Sequence, residues 1–274
     1  MTALAQVVGR SIILAWREDV GQLSDALTEE GLHPEVQRAS YTDEQLTFAR
    51  ATRLFLNHRD AWIRAAESND YTLICESDFV PCVGLGSLRT FWPLENQLAW
   101  GYLYQGSPRI LAAVGDRPYL RGHNATLVAY VVNAAVAQIL LRFYDCEMAQ
   151  YDPHDYFAWD AHLQWFAMGR GAEAYIPLRH YGEHGGFPNP EHAKFGATGV
   201  VVHRADNLAA PLKFLPQYAC GSRVRYFIVR TIAHLLGWAR LLAGRWIIPT
   251  NVYDLSSTSR LKLYGIGIRR RIGF

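Results

Sequence analysis

The sequence predicts an α/β protein of the Rossmann-like, three-layer type, with a mostly parallel central sheet between layers of helices. One observation is the alternation of strand-like and helix-like segments between residues 11 and 75. Another is that 50% of the 274 residues are hydrophobic, which is ample for a buried core. A third is a change of charge near residue 212, which separates a basic C-terminal extension from the body of the chain.

The alternation follows from local spacing. Apolar residues recur at helical intervals up to Gly31, where a helix is expected to stop. Thr42 and Gln45 have the spacing of a capping box, so a long helical region is expected to begin there. The predicted order is strand 11–16, helix 20–30, strand 33–39, a helical region 42–68 and strand 71–75.

The pattern changes after Pro81, where glycine and proline residues predict a loop-rich region. Ala125–Tyr144 predicts a strand that passes into a helix, and Asp152–Gly169 is helical toward its end. Tyr175–Leu178 predicts a short strand, and Arg179–His192 predicts a loop rich in glycine, proline and histidine.

Charge divides the chain into a body, residues 1–212, and an extension, residues 213–274. The body contains 16 Lys and Arg against 24 Asp and Glu, whereas the extension contains 11 Lys and Arg and one acid, Asp254. Arg223–Ile248 has the spacing of a basic amphipathic helix that carries too many charges to cross a membrane. We therefore expect an anionic membrane surface as its partner, or else a helix packed on the body or at an oligomer interface.

No nucleic-acid-binding motif accompanies this positive charge, so nucleic acid is not an expected partner. The four cysteines have neither CxxC spacing nor the density of a disulfide framework, which favours reduced thiols in the cytoplasm. The first residues predict a strand and not a signal peptide. The expected location is cytoplasmic, peripheral on the inner face of the cell membrane.

Two acids follow the third predicted strand, and this position makes them candidates for ligand binding. Ligands of parallel sheets bind beyond the carboxyl ends of strands, where Glu76 and Asp78 stand. Alternate residues of an extended chain point to the same side, and two such carboxylates repel unless a proton or cation lies between them. Mg²⁺ and Mn²⁺ take oxygen ligands of this kind. The alternative is a solvated turn in which Asp78 caps the following residues.

Two further groups could take part in chemistry. His180 and His184 lie in the glycine-rich loop, and neutral imidazole is a good ligand for Mn²⁺ or Zn²⁺, although both could be surface residues of a turn. Asp160 stands among aromatic residues, where a raised pKa would suit a general base. The alternative role for the acids of this segment, Asp152 or Asp155, is to cap the following helix.

The order of several motifs resembles glycosyltransferase family 25, the lipooligosaccharide-type sugar transferases. The resemblance covers roughly residues 50–165. It rests on Leu54–Trp62 (LFLNHRDAW), Tyr71–Asp78 (YTLICESD) and Ala129–Leu141 (AYVVNAAVAQILL), followed by an Asp-containing segment. Asn57-His58 stands where the family has Ser-His, and Ser77 replaces the middle acid of the family's Glu-Asp-Asp, so one carboxylate fewer is available to a metal.

This resemblance implies a GT-A-type fold with a nucleotide-sugar donor bound at the carboxyl edge of the sheet. Mn²⁺ or Mg²⁺ would bridge the diphosphate of that donor. His184 is preferred over His180 because two glycines follow it and permit close approach of the backbone. The implied metal ligands are Asp78, with His184 or His180. The implied donor-binding residues are Trp16, Arg17, Glu18, Arg53, His58 and Glu76. Asp160 would be the general base if the reaction inverts.

The function that follows is metal-dependent transfer of a sugar from a UDP-, GDP- or CMP-linked donor. The acceptor would be a glycan or a lipid-linked sugar in cell-surface polysaccharide biosynthesis. Two alternatives remain open at this point. One is a metallohydrolase that uses His180, His184 and Asp160, and the other is a non-catalytic, membrane-associated scaffold with a transferase fold.

Overall fold

The structure, a computed structural model, describes residues 2–106, 109–114, 119–124, 126–188, 190–191, 199–201, 203–245 and 259–272. These residues form ten strands: β1 Val8–Ala15, β2 Pro34–Arg38, β3 Tyr71–Glu76, β4 Phe79–Pro81, β5 Ala99–Tyr102, β6 Arg109–Val114, β7 Tyr119–His123, β8 Ala129–Val132, β9 Glu173–Ile176 and β10 Gly182–His184.

Eight of the strands form one sheet, in the order β2-β1-β3-β8-β5-β9-β7-β6. Six of them run in one direction, whereas β7 and β8 run in the opposite direction. The remaining two strands, β4 and β10, pair as a separate antiparallel ribbon. The α/β class with a large, mostly parallel central sheet, predicted from the sequence, is confirmed.

Helices cover both faces of the sheet. In the described parts of the chain they are α1 Gly21–Glu29, α2 Asp43–Leu46, α3 Arg50–Ala66, α4 Ala134–Met148, α5 Trp159–Met168, α6 Arg223–Leu242 and α7 Arg260–Ile272. Helices α3, α4 and α5 pack on one face and α1 packs on the other. Among these residues, no helix combines the length and apolar character that crossing a membrane requires.

Strand β3 shows why the sequence of a central strand in this sheet is a continuous apolar run. Ile74 belongs to the core beneath α3 and α4, whereas Leu73 and Cys75 belong to the core beneath α1. All three side chains are buried. Because a central strand is covered on both faces, its sequence shows no polar alternation, and only its end at Glu76 becomes polar.

The predicted helical region 42–68 is two helices in the structure. The capping box is present, since Thr42 Oγ1 accepts a hydrogen bond from Gln45 N. The first helix then ends because the Thr47 hydroxyl donates to Glu44 O at 2.6 Å, and Ala49 N donates to Pro153 O. The break depends on a partner far along the chain, which local spacing does not reveal.

Two predicted loop regions contain strands. The region after Pro81 contains β5, β6 and β7, and the predicted loop 179–192 contains β10, which pairs with β4. The predicted capping of α5 by Asp152 or Asp155 is also wrong, because α5 begins after Ala158 without a side-chain cap. Asp152 instead accepts hydrogen bonds from the backbone and ring of His154.

The C-terminal helices are held on the body by buried ion pairs. Arg270 and Arg271 both bind the carboxylate of Asp206, and all three residues are buried. Helix α6 contributes Arg230, whose guanidinium binds the buried carboxylate of Glu183 at 2.6 Å. The helix predicted for Arg223–Ile248 is present up to Leu242, and residues 246–258 lie outside the described ranges.

These contacts use part of the basic extension internally. Lys213, its first residue, also binds Glu29 and Glu30 of the body. The predicted division of the chain at residue 212 stays a prediction.

Asp206→Asn is expected to destabilise the fold by about 3–5 kcal/mol, because it leaves two buried guanidinium groups without their counter-charge. Urea denaturation at neutral pH measures this loss. The matched control is Asp60→Asn, which removes an exposed partner of Arg59 and should cost about 0–1 kcal/mol. Equal effects of the two substitutions would contradict the anchoring role of Asp206.

Candidate active site

A cavity of 1220 Å³ opens at the carboxyl ends of β1 and β3. Ligand pockets for small molecules commonly measure roughly 300–1,000 Å³, so this cavity has room for a large ligand or for two. It lies where the sequence places the binding site of a parallel sheet. Eight of the predicted site residues line it: Trp16, Arg17, Glu18, Arg53, Glu76, Asp78, Asp160 and His184.

The β4–β10 ribbon brings His184 beside Asp78. Glu76 ends β3, Asp78 lies in the turn into β4, and His184 pairs with Phe79 across the ribbon. As a result His184 Nε2 lies 3.0 Å from Asp78 Oδ2. Ligand atoms of Glu76, Asp78 and His184 all lie within 4.8 Å of one another.

The two glycines after His184 make this approach possible. Gly185 N donates a hydrogen bond to Asp78 O at 2.7 Å. At Gly186 a Cβ atom would collide with the Asp78 carboxylate, so the backbone passes closer to Asp78 than any other residue type would allow.

Electrostatics favour an ionised Asp78. Burial alone would raise its pKa, but the His184 imidazole and the Arg204 guanidinium outweigh burial and lower the pKa below its usual value. Burial alone would lower the pKa of His184, but Asp78 raises it. The pair therefore stabilises the charged carboxylate.

Arg204, which the sequence did not single out, supports the loop from behind. It is buried, and its guanidinium donates to the carbonyl oxygens of His184 and Gly186. It also lies 3.0 Å from His184 Nδ1. Because Arg204 can only donate, Nδ1 of the neutral imidazole must accept, and the ring proton then sits on Nε2 and faces Asp78.

Glu76 has its own buried support. His58 Nε2 lies 3.6 Å from Glu76 Oε1, and His58 Nδ1 lies 2.8 Å from the hydroxyl of Tyr130. That hydroxyl accepts a hydrogen bond from Trp62 Nε1 at 2.7 Å. The Tyr130 hydroxyl proton is then free to go to Nδ1, which leaves the Nε2–H of His58 directed at Glu76.

His58 thus occupies a different place from the one expected. It is fully buried behind the cavity wall and does not line the cavity, so it contacts Glu76 and not a bound nucleotide.

The acid–histidine group fits a divalent cation. Two carboxylates and one imidazole are a donor set that Mn²⁺ accepts, and Mg²⁺ would use the carboxylates. Asp78 Oδ1 is buried, and no other described residue donates a hydrogen bond to it. A buried carboxylate oxygen without a donor is costly unless a ligand completes it. A cation bound through His184 Nε2 would require the ring proton to move to Nδ1, so the Arg204 guanidinium would have to turn away from Nδ1 while keeping its bond to the His184 carbonyl oxygen.

Asp160 lies in the first turn of α5 and faces the same cavity. Burial, and then the negative charge of Glu76, raise its pKa to about 7. A carboxyl group with this pKa can both give and take a proton near neutral pH, as a general acid or base must.

The loop after β1 contributes an aromatic and cationic part of the cavity. The guanidinium groups of Arg17 and Arg53 lie 4.1 and 5.3 Å from the ring centroid of Trp16. Glu18 stabilises the loop, because Oε2 of its carboxylate accepts hydrogen bonds from the backbone N–H groups of Trp16 and Arg17.

His180 is placed elsewhere, which corrects its predicted role as a metal ligand. It is fully buried, its Nδ1 accepts from Gln105 N, and its Nε2 lies 2.9 Å from Asp206 Oδ1. Burial and the charge of Arg270 lower its pKa to about 4, so it is a neutral residue of the C-terminal anchor. The predicted hydrolase cluster of His180, His184 and Asp160 is therefore not assembled.

Comparisons with known proteins give a likeness in fold at low identity. The chain matches no protein-family model and no curated protein sequence. It is similar to the crystal structure of a glycosyltransferase involved in the glycosylation of the major capsid of PBCV-1, with 11% identity and a TM-score of 0.39 over 61% of this chain and 81% of that one.

It is also similar to the CTP:phosphocholine cytidylyltransferase LicC of Streptococcus pneumoniae, with 12% identity and a TM-score of 0.37 over 61% of this chain and 88% of that one. At these scores we base the proposed function on the geometry of the site alone.

Asp160→Asn is expected to remove a pH-dependent cost to stability. A carboxyl group whose pKa is raised by folding stabilises the fold at low pH, and this contribution is lost as pH rises through the folded pKa of about 7. In EDTA the variant should match the wild type at acidic pH and exceed its stability at alkaline pH by on the order of 2 kcal/mol, allowing for solvent in the cavity.

Melting temperatures of both proteins across this pH range measure the effect. Asp25→Asn, at an exposed position on α1, is the control and should leave the profile unchanged. A constant difference between Asp160→Asn and the wild type at every pH would contradict the raised pKa.

Proposed function

We propose that the chain is a metal-dependent glycosyltransferase of the GT-A type, which transfers a sugar from a nucleotide-linked donor to a glycan or lipid-linked acceptor in cell-surface polysaccharide synthesis. One observation carries the proposal. Glu76, Asp78 and His184 converge within 4.8 Å at the carboxyl edge of the sheet, in the cavity that Asp160 also faces.

The acid–histidine group would hold Mn²⁺ or Mg²⁺ at the donor's diphosphate. Asp78 is the central ligand because His184 and Arg204 keep it ionised and its Oδ1 has no other donor in the described chain. The ion would stabilise the negative charge that develops on the leaving nucleoside diphosphate. Ser77 offers no carboxylate, so His184 completes the ligand set that the missing acid would otherwise supply.

The loop after β1 would bind the nucleotide. The indole of Trp16 offers a flat face for a base, and its two neighbouring guanidinium groups, on Arg17 and Arg53, offer positive charge to phosphates. Glu18 would hold the loop in place and would not contact the nucleotide, because its carboxylate already accepts hydrogen bonds from the loop backbone.

Asp160 would accept the proton of the acceptor hydroxyl in an inverting transfer. Its pKa of about 7 matches the working range of a general base, which typically contributes about 10²–10⁴-fold to the rate. The rate should therefore rise with pH as the carboxylate form becomes populated, at a pH below this value once a cation at Glu76 offsets the negative charge there.

The two alternatives make different demands on the site. A metallohydrolase built on His180 has no support, since that residue is buried in the C-terminal anchor. A scaffold that kept the fold would bind neither nucleotide nor divalent ion. The cytoplasmic location and the choice among UDP-, GDP- and CMP-linked donors remain part of the proposal.

Asp78→Asn is expected to abolish donor binding that depends on Mn²⁺. The amide keeps the size of the side chain but loses the charge on which both the ion and His184 depend. A thermal-shift panel of UDP-, GDP- and CMP-linked sugars, each with and without Mn²⁺, should show a metal-dependent rise in melting temperature for at least one donor with the wild type and none with the variant.

Asp152→Asn, which removes an exposed acid next to His154, is the matched control and should keep the shift. Sugar transfer or donor hydrolysis that survives unchanged in Asp78→Asn would contradict the assigned metal role. No shift of the wild type with any donor would favour the scaffold.

A further inference from the structure

Helix α6 presents a row of large apolar side chains to solvent. Its exposed large apolar residues recur at intervals of three, four or seven, so they form one face of the helix. Several of these side chains are more than half exposed: Phe227 is 71% exposed, Leu235 61% and Leu242 80%. The full set, which we call the outer face, is Val224, Phe227, Ile228, Ile232, Leu235, Leu236 and Leu242.

The opposite side of the same helix faces the body, where it buries Val229, Ala233, Gly237 and Leu241 and also makes polar contacts. Arg230 binds Glu183, and His234 Nδ1 lies 3.3 Å from Asp206 O. Because the indole of Trp238 donates to His234 Nε2, the His234 proton must sit on Nδ1, where it is donated to that carbonyl. At Gly237 a Cβ atom would collide with the Arg271 guanidinium, so α7 packs closely there. The helix therefore buries one row of small and apolar residues and leaves a second row of large apolar residues exposed.

Helix α7 adds apolar and basic residues to the same part of the molecule. Leu261 is 83% exposed and Ile272 is 63% exposed. Exposed cations that the anchor does not use lie on or next to the two helices. They are Arg223, Arg225, Arg245, Lys262 and Arg269.

The charge of this surface selects among partners. Residues 213–245 and 259–272 contain no Asp or Glu. A second copy of the chain meeting this surface with its own would bring cations against cations, with no acid to pair them. An anionic bilayer offers both headgroup charge for the cations and hydrocarbon for the leucine, isoleucine and phenylalanine side chains. The acidic body, with 24 acids against 16 bases, would be repelled by the same lipids, which favours one orientation.

We propose that the outer face of α6, together with α7, docks the protein on an anionic lipid bilayer. Arg230 and His234 contact the body, the outer face of α6 enters the interface, and the five exposed cations contact headgroup phosphates. The proposal is independent of glycosyl transfer, because no residue of the outer face lines the cavity.

The test is sedimentation of the full chain with vesicles of phosphatidylcholine, with and without phosphatidylserine. Binding is expected only to the anionic vesicles and should weaken as salt rises. The double variant Phe227→Ser with Leu235→Ser should bind the anionic vesicles at least about tenfold more weakly, since it removes two large apolar side chains that enter the lipid interface. Replacing Arg225, Lys262 and Arg269 by Gln should cost about fivefold for each charge.

Matched controls separate this surface from general effects. Val36→Ser removes an exposed apolar side chain on β2, and Arg142→Gln removes an exposed cation on α4. Both should bind vesicles as the wild type does. All variants should keep the wild-type melting temperature and its metal-dependent shift with the donor, because none touches the core or the cavity.

Three results would overturn the proposal. One is equal binding to neutral and anionic vesicles, and another is unchanged binding of the folded double variant. The third is a dimer in light scattering that the double variant converts to a monomer while the wild type fails to bind vesicles, which would assign the outer face to a second copy.

Discussion

The antiparallel pairing of β4 with β10 is the constraint on which the candidate site depends. It fixes His184 opposite Phe79, one residue beyond Asp78, and so joins a strand end in the first third of the chain to a segment more than a hundred residues later. Without this pairing Asp78 would stand in an ordinary turn after β3. With it, the carboxylate has an imidazole at 3.0 Å and a guanidinium behind that imidazole. The ribbon is short, and it holds its position because Arg204 also binds the carbonyl oxygens of His184 and Gly186.

The parts of the site that could be predicted are those set by local sequence. Glu76 and Asp78 follow an apolar strand, and the order of strands and helices places them at a sheet edge. Local sequence could not decide whether His180 or His184 lies beside Asp78, because this depends on the register of a strand inside a glycine-rich segment. Only the two glycines after His184 favoured it, and their close contact with Asp78 shows why.

Other residues show where a signal existed and where it did not. His58 follows Phe55 by three positions and precedes Trp62 by four, so helical spacing alone places it on the buried face of α3 with them. Arg204 gave no such signal, because its partners come from β10 and from backbone carbonyls. The orientation of α6 was also out of reach, since an amphipathic pattern defines two faces and only tertiary contacts decide which is buried. Here Glu183 binds Arg230, and Val229, Ala233 and Leu241 pack inward on the same side, which leaves the outer face exposed.

Besides Glu18, which is bonded to its own loop, the cavity contains three acids, and each has different neighbours. Asp78 has the positive influence of His184 and Arg204, which lowers its pKa. Glu76 has the Nε2–H of His58, held in place by Tyr130 and Trp62. Asp160 has no cationic partner in the described part of the chain, and it lies in the field of Glu76. Of Asp78 and Asp160, it is therefore Asp160 that a proton neutralises near neutral pH, whereas Asp78 is held as an anion. Holding one carboxylate as an anion while another exchanges a proton separates ligand binding from proton transfer. This division follows from which neighbours Asp78 and Asp160 have, and it is what makes Asp160 the group suited to take a proton from a substrate.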